Sequence, residues 1–277
     1  MNDATDDPDF EALLGERFSR AWAAMPPGAA APRQRLLQRA AASRRAEAGM
    51  VTVRRRRAAP ETPAEGVQVQ TLYRAQPGAL RPGEPRRACL IELAAGARLA
   101  PGVLGDAAAS GVLRREWLVL EGCVAPVDAG EPLLSVRDYH VTPAGQAGPH
   151  WRAQTATLLF LRESEASARD GELPITVRDR DAGWPEFAPG ICRRVLWAQD
   201  GQAALLYRAD AGAAVPPHTH GHDEECLMVE GELFLDDQLL QRGDYQLAPT
   251  GSGHRITATD TGVVIYAHGD LDLRFIA

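Results

Sequence analysis

From about residue 67 onward, short apolar runs alternate with turns rich in Gly, Pro and Asp. VQVQTLYRA, ACLIELAAG, EWLVLEG, RVLWAQ, AALLYRA, CLMVEG and VVIYAHG are examples. Runs of this length and spacing predict the strands of a sandwich or barrel. The earlier residues keep a helical period instead. Phe10, Leu13, Leu14, Phe18, Trp22 and Met25 share one face of a helix over 9–25, which starts near Asp7-Pro8 and stops at Pro26-Pro27-Gly28. A second helix fits PRQRLLQRAAASRRAEAG, with Pro32 in its first turn and Gly49 as its cap. Its apolar face holds only Leu36, Leu37 and alanines, so the two helices must dock on the rest of the chain or on a partner. MVTVRRRRAAPETPAEG, 50–66, reads as a short strand entering a linker, and RESEASARDGE, 162–172, as a polar connector.

The apolar runs repeat. RREWLVLEG (114–122) matches DEECLMVEG (223–231), and RDYHVTPAG (137–145) matches GDYQLAPTG (243–251). LIELAAGA (90–97) resembles LYRADAGA (206–213). Residues 65–165 and 185–277 therefore read as two copies of one β-domain, preceded by a helical segment, 1–60.

Composition narrows the class. An apolar fraction of 45% and a charged fraction of 24% are those of a globular protein. The absence of a long apolar stretch or signal-like N-terminus predicts a cytoplasmic protein without membrane contact. Cys89, Cys123, Cys192 and Cys226 form no C-x-x-C pair and read as buried thiols of a reducing compartment. The net charge of −7 hides an arginine-rich stretch over 17–57, in a chain without lysine. That stretch reads as a contact for an acidic protein surface or nucleic acid, or as a solvated arm. Direct nucleic-acid binding is not expected of the protein.

The chemistry concentrates in PPHTHGHDEECLMVEG, 216–231. In a strand, His218 and His220 point the same way, so their imidazoles can chelate one cation. Glu224, past the Gly221 turn, can return a carboxylate to the same spot. His254, behind the Pro249–Gly251 turn, is the candidate fourth ligand. His222 reads as a loop residue or as support for the ligands, and Glu225 as pointing away from Glu224. Cys226 and Met228 share the inward parity of Glu224, with Tyr245 a further pocket-side candidate, and redox sensing by the Cys226 thiol is conceivable. His268 reads as structural. In the first copy Arg115 stands where Glu224 does, and Gly102 and Leu104 where the two histidines do. His150 falls two residues late, and His140 belongs to the strand before the turn. The first copy thus reads as a metal-free partner, or as the seat of a second small-molecule pocket.

Gly212, His218, His220, Glu224 and Gly231, followed by Gly243, Pro249, Gly251 and His254, match the two motifs of the cupins in every spacing, with Ala258 where an Asn is usual. The resemblance implies a mainly β protein of two tandem cupin (double-stranded β-helix, jelly-roll) barrels with a short helical N-terminus. It also implies one divalent metal: zinc first, with manganese, iron and nickel compatible with the donor set.

The stretch from His218 to His254, with its Gly-Asp-Tyr and Pro-x-Gly-Ser-x-His words, resembles the cupin domain of ChrR-type anti-sigma factors. APRQRLLQRAAA resembles the last helix of their N-terminal domain. In that family a zinc-binding helical domain grips a sigma factor and the cupin senses a signal. Residues 1–88 here hold no histidine and no cysteine, so that zinc site is absent. Two function classes follow. One is a regulator that senses a small ligand or oxidant, with a sigma factor or other protein at residues 1–60. The other is a metalloenzyme, dioxygenase-like or otherwise metal-assisted, acting on a small organic substrate. A small-molecule ligand in the second cupin is common to both, and edge strands leave a homodimer open.

Overall fold

The structure is a computed structural model, and it describes residues 30–47, 49–76, 84–104, 113–127, 133–166, 169 and 171–276. The helix expected over 9–25 lies outside the described residues. The chain divides into two compact units, Met1–Met50 and Val51–Ala277. In the first, the second expected helix spans Ala30–Glu47, and Gly49 follows it at φ +100°, the left-handed conformation of a helix-ending glycine. The expected helical segment, 1–60, thus gives its last residues to the β unit.

From Val51 onward the described residues form strands, with two short 3₁₀ turns and one four-residue helix, Asp179–Ala182. A seven-stranded sheet carries, in spatial order, Ile175–Val177, Tyr139–Thr142, Leu113–Glu121, Thr157–Glu165, Pro85–Leu93, Val67–Arg74 and Glu61–Ala64. The second large sheet repeats that order with Val51–Val53, Tyr245–Ala248, Glu224–Leu235, Val263–Asp270, Gln202–Ala209, Ile191–Gln199 and Glu186–Ala188. Smaller sheets back each one. Leu118–Val119 and Leu227–Met228 hold equivalent places, as the repeated sequence words imply.

The order contains an exchange. Val51–Val53 precedes the first half, yet it pairs antiparallel with the second, Val53 opposite Tyr245. Ile175–Val177 precedes the second half, yet it pairs with the first, Val177 opposite Tyr139. Each half lends its leading strand to the other's sheet. The arginine after each borrowed strand makes the same anchor. Arg54 donates to the Leu239 carbonyl and pairs with Asp244 at 2.8 Å, while Arg178 donates to the Leu133 carbonyl and pairs with Asp138 at 3.0 Å.

Three apolar cores result. One fills the first sandwich around Ile91, Trp117, Val119, Trp151 and Leu161. Another fills the second around Leu205, Cys226, Met228, Leu235 and Ile265. The third lies between the two large sheets and mixes Leu118, Tyr139 and Phe160 of one with Leu227, Tyr245 and Tyr266 of the other. Central strands buried on both faces explain why WLVL, LLFL, CLMV and VVIYA are continuous apolar runs rather than alternating ones. Equivalent glycines, one just after the strand Leu113–Glu121 and one within Glu224–Leu235, are obligatory. A Cβ on Gly122 would lie 2.2 Å from the Ala156 carbonyl oxygen, and one on Gly231 2.1 Å from that of Gly262.

The polar connector expected over 162–172 is corrected at its start. The strand Thr157–Glu165 carries Arg162, Glu163 and Ser164 into the interior, at 1%, 2% and 0% exposure. Partners make this tolerable. Glu163 accepts from Arg87 at 2.9 Å and from Arg115 at 3.2 Å. Arg162 donates to Glu225 and, at 2.9 Å, to Glu116. Tyr139 and Tyr266 donate to Glu116 at 2.8 and 2.9 Å, and Tyr245 donates to Glu225 at 2.6 Å. The network sits between the two large sheets and joins equivalent carboxylates of the two halves.

Candidate metal centre

His218 lies on the two-residue strand His218–Thr219, directly opposite His254 on Gly253–His254. Glu224 opens the strand Glu224–Leu235 of the large sheet. The turn between them brings the two sheets' side chains to one point inside the second sandwich. His218, His220 and His254 are 3%, 4% and 2% exposed. Their ring centroids are 5.4, 5.7 and 5.0 Å apart for the pairs 218–220, 218–254 and 220–254. Donor atoms of His218, His220 and Glu224 lie within 4.8 Å of one another, and His254 Nε2 stands 3.9 Å from Glu224 Oε2. All four residues expected as ligands come near one another, but the tight cluster holds three of them, without His254.

The remaining ring nitrogens fix the tautomers. His218 Nδ1 faces the Pro216 carbonyl at 3.1 Å, so it donates there. His220 Nδ1 is 3.2 Å from Ser252 Oγ, whose own proton goes to the Pro249 carbonyl, so the imidazole is again the donor. His254 Nδ1 donates to Asp236 Oδ2 at 3.1 Å, and Asp236 also accepts the Arg255 amide. Each ring therefore turns an Nε2 lone pair inward. His220 Nε2 is 2.6 Å from Glu224 Oε2 yet makes no aligned hydrogen bond, a buried nitrogen without a donor. Lone pairs and a carboxylate converging away from water repel unless a cation sits among them. Outer hydrogen bonds of this kind are what orient histidine ligands. The residues present thus fit a divalent metal.

The local charges agree at Glu224 and His218 but not at His220. Burial opposes ionisation of Glu224, but His220 beside it outweighs burial and holds the carboxyl down at about 2. Burial pushes His218 below its ordinary value, keeping the ring neutral as a ligand must be. His220 goes the other way, because the attraction of Glu224 exceeds the cost of burial.

A cavity of about 60 Å³ opens against His218, Glu224 and His254. Its other walls are mostly apolar, Ile191, Val215, Leu233, Leu235, Val263 and Ile265 among them. Among the described residues no arginine lines it, and Glu224 is the one carboxylate. Two lining hydroxyls, Tyr207 and Thr257 Oγ1, are buried without a hydrogen bond. Burial raises the Tyr207 phenol to about 12, against the pull of Arg193. Cys226 lines the cavity as expected, and burial pushes its thiol well above the ordinary value.

Other expectations sort plainly. His222 stands apart from the cluster and bonds Asp270 through Nδ1. Glu225 does point away from Glu224, but into the buried network with Arg162. Tyr245 points with it and is no pocket residue. Met228 packs in the core beside the cavity. His268 is 1% exposed and stacks on Trp197, with Nε2 3.5 Å from Glu116. In the first half, Arg115 opposes Thr142 as Glu224 opposes Ala248, and its guanidinium binds Glu163. His140 Nδ1 is 2.9 Å from Thr176 Oγ1. Asp236, Ser252, Tyr207 and Thr257 were not foreseen. Asp236 and Ser252 sit in turns and Tyr207 and Thr257 on strands of their own, and only the Ser-x-His word hinted at Ser252.

The sandwich of two antiparallel sheets with this site inside one of them has the fold of the cupins. Residues 173–272 match the family described as the ChrR cupin-like domain. Solved structures of similar fold include the protein YlbA from E. coli, 12% identical over 79% of this chain and 90% of that one, with a TM-score of 0.59. A variant of oxalate decarboxylase from Bacillus subtilis is 14% identical over 79% of this chain and 77% of that one, with a TM-score of 0.54. Vicilin from hazelnut, Corylus avellana, is 12% identical over 79% and 85%, with a TM-score of 0.55. No curated protein matches the chain by sequence. Among the described residues no helix is long and apolar enough to cross a membrane.

Proposed function

We propose that the second half is a divalent-metal cupin that holds its ion with His218, His220, Glu224 and His254 and binds a small molecule in the adjoining cavity. The observation that carries this reading is the set of three imidazoles whose Nδ1 atoms are all tied to acceptors while their Nε2 atoms face Glu224. Three nitrogens and one oxygen suit zinc, with manganese, iron and nickel compatible. When bound, the metal supplies Lewis acidity toward a ligand's oxygen or nitrogen. The chain's own residues shape and dry the space, and the Tyr207 and Thr257 hydroxyls orient what enters it. The test is the metal content of the purified chain. Full loading with one ion per chain, falling below about a tenth in His218→Ala and in Glu224→Gln, is expected, since losing a first ligand costs more than the roughly 10–100-fold of an outer partner. A chain that takes up none of the four metals would sink the reading.

For the use of the metal we favour a sensing or ligand-binding role, exerted through a protein partner of residues 1–60, with a sigma factor the first candidate. Its support is the match of residues 173–272 to the ChrR cupin-like domain and a cavity that, among the described residues and apart from the proposed ligands, holds no group suited to proton transfer near neutral pH, Tyr207 being raised to about 12. The second reading, a metal-assisted reaction on a small organic substrate, is favoured by a cavity that opens straight onto three of the four ligands. Capture from the native host separates them. A sigma factor recovered with the full chain and lost with residues 1–60 supports the first, and metal-dependent turnover abolished in His254→Ala the second. We also read residues 65–165 as a cupin copy in which the Arg115–Glu163 ion pair has taken the metal's place. A cytoplasmic location fits the four free cysteines.

A further inference from the structure

We propose that the cleft under the turn Arg55–Arg57, between the two halves of the β unit, binds a small multiply phosphorylated molecule. The cleft has a volume of about 820 Å³, within the roughly 300–1,000 Å³ common for small-molecule sites. Gln70 and Glu92 form its first-half wall, Gln241 and Arg242 its second, and Arg54–Arg57 close it.

The arginines divide by task. Arg54 is spent on Asp244 and the Leu239 carbonyl, and so anchors the borrowed strand. Arg242 pairs with Glu121 at 2.7 Å. Arg55 pairs with Glu92 at 2.8 Å, but both side chains are solvent-accessible, and an exposed pair of this kind yields readily to a phosphate. Arg56 and Arg57 are exposed and hold no ion pair or side-chain hydrogen bond among the described residues. Gln70 adds a second feature. Its Nε2 is used by two backbone carbonyls, while its Oε1 is buried with no donor. Tied to the Arg55 and Ala58 carbonyls, Gln70 holds the turn over the cleft, while its Oε1 is closed off from a ligand and the phosphates fall to the arginines.

The internal repeat supplies a control. Val53 and Val177 occupy matching registers, opposite Tyr245 and Tyr139. The residues that follow the anchor arginine are Arg55-Arg56-Arg57 at one place and Asp179-Arg180-Asp181 at the other. Asp179 there is neutralised by Arg137 and Arg194. The same backbone device thus works without the triple arginine, so docking of the strand does not require it. Nor does the arginine-rich composition, which would load both places. Nucleic acid fits less well than a small ligand, because a chain of net charge −7 repels a long polyanion outside the cleft.

Titration calorimetry of the full chain tests this with ATP, inorganic tripolyphosphate and a short DNA duplex, at about 50 and 200 mM salt. The probes compare Arg56→Ala/Arg57→Ala with Arg180→Ala, and melting curves check that each variant is folded. Expected are one ATP per chain, affinity about tenfold or more weaker in the double variant, and no change in Arg180→Ala. Tripolyphosphate should bind with the same dependence on Arg56 and Arg57. Absence of saturable binding would overturn the proposal, as would equal losses in the double variant and in Arg180→Ala. DNA binding tighter than ATP would overturn it in favour of a nucleic-acid surface. Metal content plays no part in these readouts.

Discussion

Asp236 holds two groups at once, the Nδ1 proton of His254 and the amide of Arg255. Its backbone lies at φ +54°, where asparagine is among the few residues at ease. Asp236→Asn therefore leaves the turn intact and removes only the carboxylate. Competition with a chelator should show metal affinity lower by about 10–100-fold, the usual cost of losing such a partner, with the melting temperature of the metal-free protein little changed. Three of the four proposed ligands are drawn together by local sequence: His218, His220 and Glu224 sit within seven positions, and strand parity aims them. Asp236 and Ser252 were not legible there, because their roles depend on where separate turns close against each other.

Borrowed strands set the behaviour of the elements. Residues 51–57 supply three ladder positions and the Arg54–Asp244 pair to the second half. Truncation before Val51 should leave the β unit's melting temperature almost unchanged. Truncation before Ala58 should lower it by about 4 °C or more, the shift made by roughly 2 kcal/mol in a body of this size. Equal melting of the two would show that the strand contributes nothing. The matching element, Asp179–Ala182, predicts a pH effect. Burial works to raise the Asp179 carboxyl, but Arg137 and Arg194 outweigh it and hold it below its ordinary 3.8. A lowered folded value means stability fully present above the unfolded value and lost as pH falls through the folded one. The gap in urea midpoint between the native chain and Asp179→Asn should be widest near neutrality. It should close as pH drops below 3.8. At this scale sequence pattern did well for apolar strands and failed at RESEASARDGE, where charge was read as solvent. Arg162 and Glu163 are inside because their counter-charges come from strands far away in the chain.

At the scale of the molecule the shared core and the Glu116–Arg162–Glu225 network bind the two halves. Removing Arg162 should cost more than the network is worth, because it leaves Glu225 buried without a guanidinium and Glu116 with Arg114 alone. Arg162→Met should destabilise by about 3–5 kcal/mol in urea, and adding Glu116→Gln with Glu225→Gln should recover part of it. A single calorimetric transition is expected for residues 51–277, with two resolved transitions the contrary result. The repeat itself was legible in the sequence, down to the paired Glu-Gly and Asp-Tyr words. The crossing of strands was not, because a three-residue segment says nothing about which of two equivalent sheets it will join.

That crossing has a consequence for heredity. A gene that holds two copies of one unit is usually free to discard the idle one. Here each copy is missing a piece that only its twin's leader can supply, so deleting either would damage both. The half without the histidine cluster is thus mechanically bound to its twin, by the strand it lends and the strand it receives.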